Sequence, residues 1–105
     1  MTRTMLALGV AFCALMSSAS QAADPAAGRQ AFETCLGCHG APHYVNTYPT
    51  YHVPLLAGQH EQYLVSALKS YRDGDRSHPT MQANAASLSD DDIANIAAFL
   101  AGLKP

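Results

Sequence analysis

Apolar residues recur at the spacing of an amphipathic helix in three stretches of this chain. The pattern predicts a first helix from about Pro25 to the region of Cys35, a second over about residues 60–73, and a third that opens after Ser89. No strand-rich segment, internal repeat or low-complexity tract is visible. We therefore expect an all-α domain with three main helices and long loops.

The residues at the ends of these helices support their placement. Asp24 can cap the first helix, and Pro25 suits its first position because the N–H that proline lacks has no partner there. Gly74 is a good C-terminal stop for the second helix. Ser89 is a predicted N-cap for the third, and the acidic run 90–92 complements the positive end of its dipole. We therefore interpret that run as a helix start and not as a metal site.

Two predicted loops, over residues 40–58 and 75–88, separate the helices. Proline, glycine and asparagine punctuate the first loop, which is also unusually aromatic. A structureless loop of this length is uncommon in a small domain unless it wraps something. The aromatic and imidazole side chains that it offers for such a contact are Tyr44, Tyr48, Tyr51, His43 and His52.

The apolar run at the start of the chain has the form of a secretory signal peptide over residues 1–22. Arg3 supplies the positive charge, residues 5–16 the apolar segment, and residues 20–22 a small-x-small cleavage site. An uncleaved membrane anchor is the alternative, but the apolar run is short for a bilayer span. Export would leave one domain, residues 23–105, in the periplasm without stable insertion into the membrane.

Removal of the leader changes which side chains are available for chemistry. Of the cysteines and methionines in the chain, only Cys35, Cys38 and Met81 remain. Cys13 is lost with the leader, and the bulky Phe12 before it argues against a lipoprotein cleavage site. The remaining domain is mildly acidic and has no basic run, so we expect no nucleic-acid partner.

The segment Cys35-Leu36-Gly37-Cys38-His39 has the form C-x-x-C-H, the attachment signature of c-type haem. Two thiols three residues apart lie on one side of a helical turn, where both can add to the vinyl groups of one haem. His39 would then lie under the iron as an axial ligand through an imidazole nitrogen. A domain this small has a thin core, and a covalently held haem would give its helices a large apolar surface to pack on.

Two other chemistries use paired cysteines. A thioredoxin-like redox pair is expected near a βαβ pattern, and no strand-rich segment accompanies this pair. A zinc site needs four ligands, usually with a second cysteine or histidine pair at close spacing. The other histidines form no close pair, and each is expected to be a surface or loop residue: His43, His52, His60 and His78. Haem attachment is therefore the favoured interpretation.

The iron of a histidine-ligated haem either takes a sixth ligand or keeps an open position. Met81 is the one thioether left after leader removal, and it lies in the predicted loop 75–88 after Pro79, which stiffens that loop. Ligation by histidine and methionine raises the reduction potential and suits electron transfer better than oxygen chemistry. In the alternative, Met81 only packs, and the iron takes a distal histidine or stays five-coordinate.

The order helix, C-x-x-C-H, loop, helix, loop, methionine, helix resembles the class I cytochromes c. The resemblance covers nearly all of residues 23–105 and is carried by residues 28–40, 54–64 and 88–99. The second and third of these stretches are similar to the single-haem halves of bacterial dihaem periplasmic cytochromes c. The chain has one C-x-x-C-H, so we expect a single haem, and its aromatic segment 43–52 does not map onto the family pattern.

The resemblance implies a small cytochrome c fold, with three main helices and long loops around one covalently bound haem c and its iron. In such a fold Gly28 and Phe32 on the first helix would meet the last helix near Ile96 and Phe99.

The resemblance also implies how the cofactor is held. The carbonyl of Pro54 would accept a hydrogen bond from His39 and so fix the tautomer and ring orientation of that ligand. Met81 falls where the axial methionine of the family falls, and it would be the second ligand to iron. The expected cofactor-binding residues are Cys35, Cys38, His39, Pro54 and Met81, of which His39 and Met81 bind the metal.

The residues and the resemblance together predict a periplasmic one-electron carrier of a respiratory chain that is not an enzyme. Its expected partners are redox proteins, either a donor dehydrogenase or an acceptor oxidase or reductase. One alternative is a cytochrome c subunit of a larger oxidoreductase complex, with residues 43–52 as its docking surface. Another is a five-coordinate haem protein that handles a gas or a peroxide, which needs an open iron position.

Overall fold

The computed structural model describes residues 22–40, 43–46 and 50–105. The signal peptide predicted over residues 1–22 lies outside these ranges except for its last residue, and Tyr48 of the aromatic loop also lies outside them. Within the described ranges the regular structure is helical, apart from one antiparallel β-bridge between Val45 and His52. The predicted all-α class is therefore confirmed.

The helices of the described residues are α1 (Pro25–Phe32), α2 (Leu36–His39), α3 (Glu61–Asp73), α4 (Pro79–Ala85) and α5 (Asp90–Ala101). A 3₁₀ turn, Glu33–Cys35, joins α1 to the single turn of α2. The first predicted helix thus tightens before it reaches the C-x-x-C-H segment. Of the helices described here, none is both long enough and apolar enough to cross a membrane.

The predicted helix ends are present and are held by side-chain caps. The Asp24 carboxylate accepts a hydrogen bond from the Ala26 N–H at 2.9 Å at the start of α1. Ser89 and Asp92 form a reciprocal capping box at the start of α5, in which each side chain accepts from the other's backbone N–H at 3.0 Å. Gly74 ends α3 with a φ of +86°, a left-handed conformation that glycine adopts without strain.

The prediction of a loop over residues 75–88 is wrong at its centre, where α4 spans Pro79–Ala85. The segment PTMQANA has no apolar stripe, so hydrophobic periodicity does not reveal it. A helix of seven residues is not stable by its own hydrogen bonds. Tertiary contact supplies the rest, because α4 packs on α3 and buries Ala85.

The core lies where α1 and α3 both pack on α5. A Cβ on Gly28 would collide with the backbone carbonyl of Asn95, so α1 and α5 cross at a distance that only glycine permits. The rings of Phe32 and Phe99 lie beside this crossing, with centroids 5.9 Å apart. The contact between first and last helices that the resemblance implies is therefore present. Among residues 22–40, 43–46 and 50–105, the buried apolar residues are Phe32, Leu64, Ala85, Ile93, Ile96, Ala97 and Leu100.

Arg72 joins the end of α3 to the start of α5. Its guanidinium donates to Asp90 at 2.7 Å and to the backbone carbonyl of Leu88 at 3.3 Å. Its Nε also donates to Asp73 at 3.0 Å. These bonds hold the pKa of the Asp90 carboxyl below its ordinary value of 3.8, chiefly through the hydrogen bond from Arg72 and secondarily through the charge of Lys69.

Candidate functional site

A cleft of about 330 Å³ opens beside this core. Its size falls within the range of cofactor sites, roughly 300–1,000 Å³. Its wall is formed by the 3₁₀ turn, by residues 51–54 with Leu56, and by each of the five helices. Most of the lining is apolar, and the apolar members include Phe32, Leu56, Leu64, Leu68, Leu88, Ile96 and Leu100.

A second, smaller cavity is lined by residues of the aromatic loop and those that follow it. Its volume is about 270 Å³, and its wall includes His43, Tyr44 and His52. It contains neither cysteine nor Met81. The chemistry that the sequence predicts therefore belongs to the larger cleft.

Cys35 and Cys38 both line the larger cleft, and both are half-buried free thiols. Burial raises the pKa of the Cys35 thiol above its ordinary value of 9.0. A hydrogen bond with Thr34, whose hydroxyl lies 3.8 Å from the sulfur, opposes this effect, and the nearby Cys38 adds to it. At neutral pH, Cys35 is therefore a protonated thiol held against an apolar wall.

His39 lies at the end of α2 and also lines the cleft. Its Nδ1 lies 2.8 Å from the carbonyl oxygen of Pro54. Because a carbonyl can only accept a hydrogen bond, the ring hydrogen lies on Nδ1, and Nε2 keeps its lone pair. This is the contact that the resemblance implies, and it leaves His39 in the tautomer that can bind a metal through Nε2.

Met81 reaches the same cleft from α4, where it is half-buried. The helix begins with His78 as N-cap, and the His78 Nδ1 accepts a hydrogen bond from the Met81 N–H at 3.3 Å. His78 was expected to be a surface or loop residue, and it does lie in the loop before α4, where its half-buried ring forms part of the cleft wall. Histidine is not among the strongly preferred N-cap residues, so its role as a cap could not be predicted from residue type.

The rim of the cleft carries tyrosine side chains and one arginine. The hydroxyl of Tyr51 is buried and has no hydrogen-bond partner among the described residues. Arg76 donates to the Tyr63 hydroxyl at 3.4 Å, and its guanidinium lies 4.8 Å from the centroid of the Tyr71 ring. An unpaired buried hydroxyl is costly, so Tyr51 is poised for a polar group that enters the cleft. Sequence reasoning did not single out Arg76, which no motif marks.

The residues of the cleft fit a haem. Two thiols, an imidazole nitrogen with a free lone pair and a thioether line one apolar cavity, and an unpaired hydroxyl lies in its wall. These are the donor types that hold haem c and its iron. In the described part of the chain, no group of three or more histidine, cysteine or carboxylate side chains is placed to hold a metal ion without such a cofactor.

Comparison with known proteins points to the same cofactor. The family model for cytochrome c matches residues 25–104. The chain is 44% identical over 81 residues to cytochrome c-554(548) of Halomonas halodenitrificans, covering 74% of this chain and 94% of that protein. It is 36% identical over 98 residues to a Thiomonas intermedia protein named thiosulfate dehydrogenase electron acceptor, covering 93% of this chain and 42% of that protein.

The fold is similar to a crystal structure of reduced cytochrome c4 from Pseudomonas stutzeri, with a TM-score of 0.58 and 28% identity. That match covers 78% of this chain and 50% of the other. The chain thus spans about half the length, or less, of several longer relatives that it matches. Together, the family match, the relatives and the cleft show that the chain belongs to the cytochrome c family, the haem-based electron-transfer proteins that hold haem c covalently.

Proposed function

We propose that this chain is a periplasmic one-electron carrier in which His39 and Met81 are the two axial ligands of the haem iron. The observation that carries the proposal is that the side chains of His39 and Met81 line the same cleft as the two cysteines. When bound, the haem supplies a one-electron couple between ferrous and ferric iron. Histidine and methionine in both axial positions would leave no open position for a gas or a peroxide.

The protein residues have positional roles in this proposal. Cys35 and Cys38 would hold the cofactor by two covalent bonds, and Pro54 would fix the ring of His39 through its carbonyl. The apolar lining excludes water from the iron. Because no side chain needs to transform a substrate, the chain would act as a carrier and not as an enzyme.

The proposed partners are redox proteins. The Thiomonas relative is named as an electron acceptor of a dehydrogenase, which supports a dehydrogenase as the donor class for this chain. The full chain has a formal net charge of −2, and loss of Arg3 with the leader would make the remaining domain more acidic, which favours a donor or acceptor with a basic docking surface. Residues 1–22 would direct export to the periplasm and be removed there.

The ligand pair can be tested by replacing the thioether without changing the volume of the side chain. Met81→Leu is close to volume-conserving, so we expect a folded protein that still holds haem. The oxidised wild type should show the weak far-red absorption band of methionine–iron charge transfer, and Met81→Leu should lose it. Its midpoint potential should also fall, because thioether ligation raises the potential.

A matched control separates ligation from attachment. The Cys35→Ser/Cys38→Ser variant should release any haem into acid acetone, whereas Met81→Leu should retain it. If the far-red band survives in Met81→Leu, the proposed ligand pair is wrong even though the attachment remains correct.

A second candidate, a subunit of a larger oxidoreductase complex, is favoured by apolar side chains that remain exposed around the aromatic loop. Val45 is 38% exposed and Leu55 is 55% exposed. Such residues are frequent in protein interfaces. If this candidate is correct, the native protein elutes from a size-exclusion column at the mass of a complex, and Leu55→Lys returns it to the mass of the single chain.

A further inference from the structure

Helix α4 carries Met81 but has little to hold it in place. It contains seven residues, and the one that it buries fully is Ala85. A helix of two turns is marginal in water, so contacts at its ends decide where its side chains lie. The contact at its first turn is the side chain of His78.

His78 holds the backbone of Met81 directly. Its Nδ1 accepts the Met81 N–H at 3.3 Å, and its own carbonyl accepts the N–H of Gln82 at 2.8 Å. Met81 is the third residue of the helix, the position whose N–H an N-cap side chain reaches. Pro79 occupies the first position with a fixed φ, which limits the other paths that the chain could take.

The ring of His78 also joins α4 to two other parts of the cleft wall. It packs edge to face against Tyr51, with centroids 4.8 Å apart and the ring planes at 84°. It meets Tyr71 of α3 at 6.3 Å and 79°. The Tyr71 ring is itself covered by the guanidinium of Arg76 at 4.8 Å. A smaller cap residue would keep the hydrogen bond but would lose both ring contacts.

We infer that His78 is a positioning residue for Met81: it caps α4 through the Met81 amide and fixes that cap between Tyr51 and Tyr71. His78 is not itself a distal ligand, because an imidazole whose Nδ1 accepts a hydrogen bond carries its hydrogen on Nε2 and has no free lone pair. The inference rests on the proposed role of Met81 as a ligand.

The inference can be tested by competition on the ferric protein, in which added imidazole takes the iron position proposed for Met81. Any interaction that holds Met81 in place raises the imidazole concentration that is needed to displace Met81 from half of the molecules. Loss of an N-cap in His78→Ala should therefore lower the apparent dissociation constant for imidazole by about fivefold, from the usual strength of such caps. Absorbance titration measures this constant without any assay of electron transfer.

Two further variants separate positioning from general destabilisation. His78→Asn keeps a strong N-cap acceptor and should return the dissociation constant most of the way to the wild-type value. Ser89→Ala removes the equivalent cap from α5, which carries no proposed ligand. It should lower the melting temperature as His78→Ala does, and it should leave imidazole binding unchanged.

The outcomes that overturn the inference differ from those that overturn the ligand pair. If His78→Ala binds imidazole as the wild type does, or if Ser89→Ala shows the same shift, His78 does not position Met81. If the dissociation constant of His78→Asn stays at the His78→Ala value, the N-cap hydrogen bond is not what positions Met81. If Met81→Leu itself binds imidazole no more tightly than the wild type, the proposed ligand fails, and the positioning role fails with it.

Discussion

One hydrogen bond to a backbone group orients each of the two side chains proposed as ligands. The Pro54 carbonyl holds the ring of His39 at 2.8 Å, and the amide of Met81 is held by His78 at 3.3 Å. In both cases a single hydrogen bond restricts the ring or chain segment that presents the ligand atom. Such restriction keeps a metal site in one geometry while its charge changes.

The close approach of the backbone at Gly28 leads to a prediction about stability. A Cβ at this position meets the backbone carbonyl of Asn95, which cannot move aside as a flexible side chain would. Gly28→Ala should therefore lower the free energy of unfolding by roughly 1–3 kcal/mol or more, as overpacking does. Denaturant unfolding of the haem-loaded protein measures this change.

Gly102→Ala is the matched control for this substitution. A Cβ at Gly102 meets its nearest atom at 3.5 Å, an ordinary contact, so this variant should stay within about 0.5 kcal/mol of the wild type. Equal losses in the two variants would show that the close crossing of α1 and α5 is not the cause.

The site residues that belong to a recognisable sequence motif could be predicted. Cys35, Cys38 and His39 form a fixed spacing, and they do line one cleft. His78 was missed because its role depends on two rings that approach it from other parts of the chain, Tyr51 and Tyr71. Spacing along the chain carries no information about such neighbours.

Among the helices, those with an apolar stripe or a strong start signal were predicted, and α4, which has neither, was missed. Ser89 and the acidic run after it placed the start of α5 correctly, because a capping box is local. Helix α4 has neither an apolar stripe nor a preferred N-cap, and its packing on α3 stabilises it. Propensity could not reveal a helix that depends on its neighbour.

The contact of Arg72 in α3 with Asp90 in α5 makes the stability of the fold depend on pH, and the pKa of Asp90 gives the direction of that dependence. Arg72 lowers the pKa of Asp90 in the folded protein, so the folded state favours the ionised carboxylate. The stabilisation is present above the unfolded pKa and is lost as pH falls through the folded pKa. Asp90→Asn should therefore melt at a lower temperature than the wild type at pH 7, and this gap should close below about pH 4.

Asp91→Asn is the control for this effect, because Asp91 belongs to the same acidic run at the start of α5. It removes an equal charge beside the helix dipole but leaves the Arg72 bond to Asp90 intact. Thermal melts from pH 7 to pH 2 measure both variants. A gap for Asp90→Asn that stays constant down to pH 2 would contradict the assigned cause.

In the molecule as a whole, helices α1 and α5 are held by contacts with each other, whereas the part around the cleft would depend on contacts with the cofactor. Helices α1 and α5 pack on each other directly, whereas α4 packs on α3 beside the cleft. The seven apolar side chains that are buried in the described part of the chain make a thin core for a domain of this size. The haem would therefore contribute a large share of the apolar surface that α4 can contact.

Removal of the haem should reduce the stability of α4 more than that of α1 and α5. In a Cys35→Ala/Cys38→Ala chain prepared without cofactor, we expect α4 to lose amide protection while α1 and α5 keep it. Hydrogen exchange followed by mass spectrometry should show amides in α5 exchanging at least about tenfold more slowly than those in α4. Equal protection of α4 and α5 would mean that α4 does not depend on the cofactor.

The packing of α5 on α1 also orders events during synthesis of the chain. The backbone N–H of Asp24 donates to the side chain of Asn95 at 2.8 Å, across 71 positions of the chain. Of the seven buried apolar residues in the described ranges, α5 carries four: Ile93, Ile96, Ala97 and Leu100. A chain that emerges from its N-terminus therefore presents its two thiols before this core can close. Attachment of the cofactor to Cys35 and Cys38 can therefore precede closure of the core, which the later packing of α5 on α1 completes.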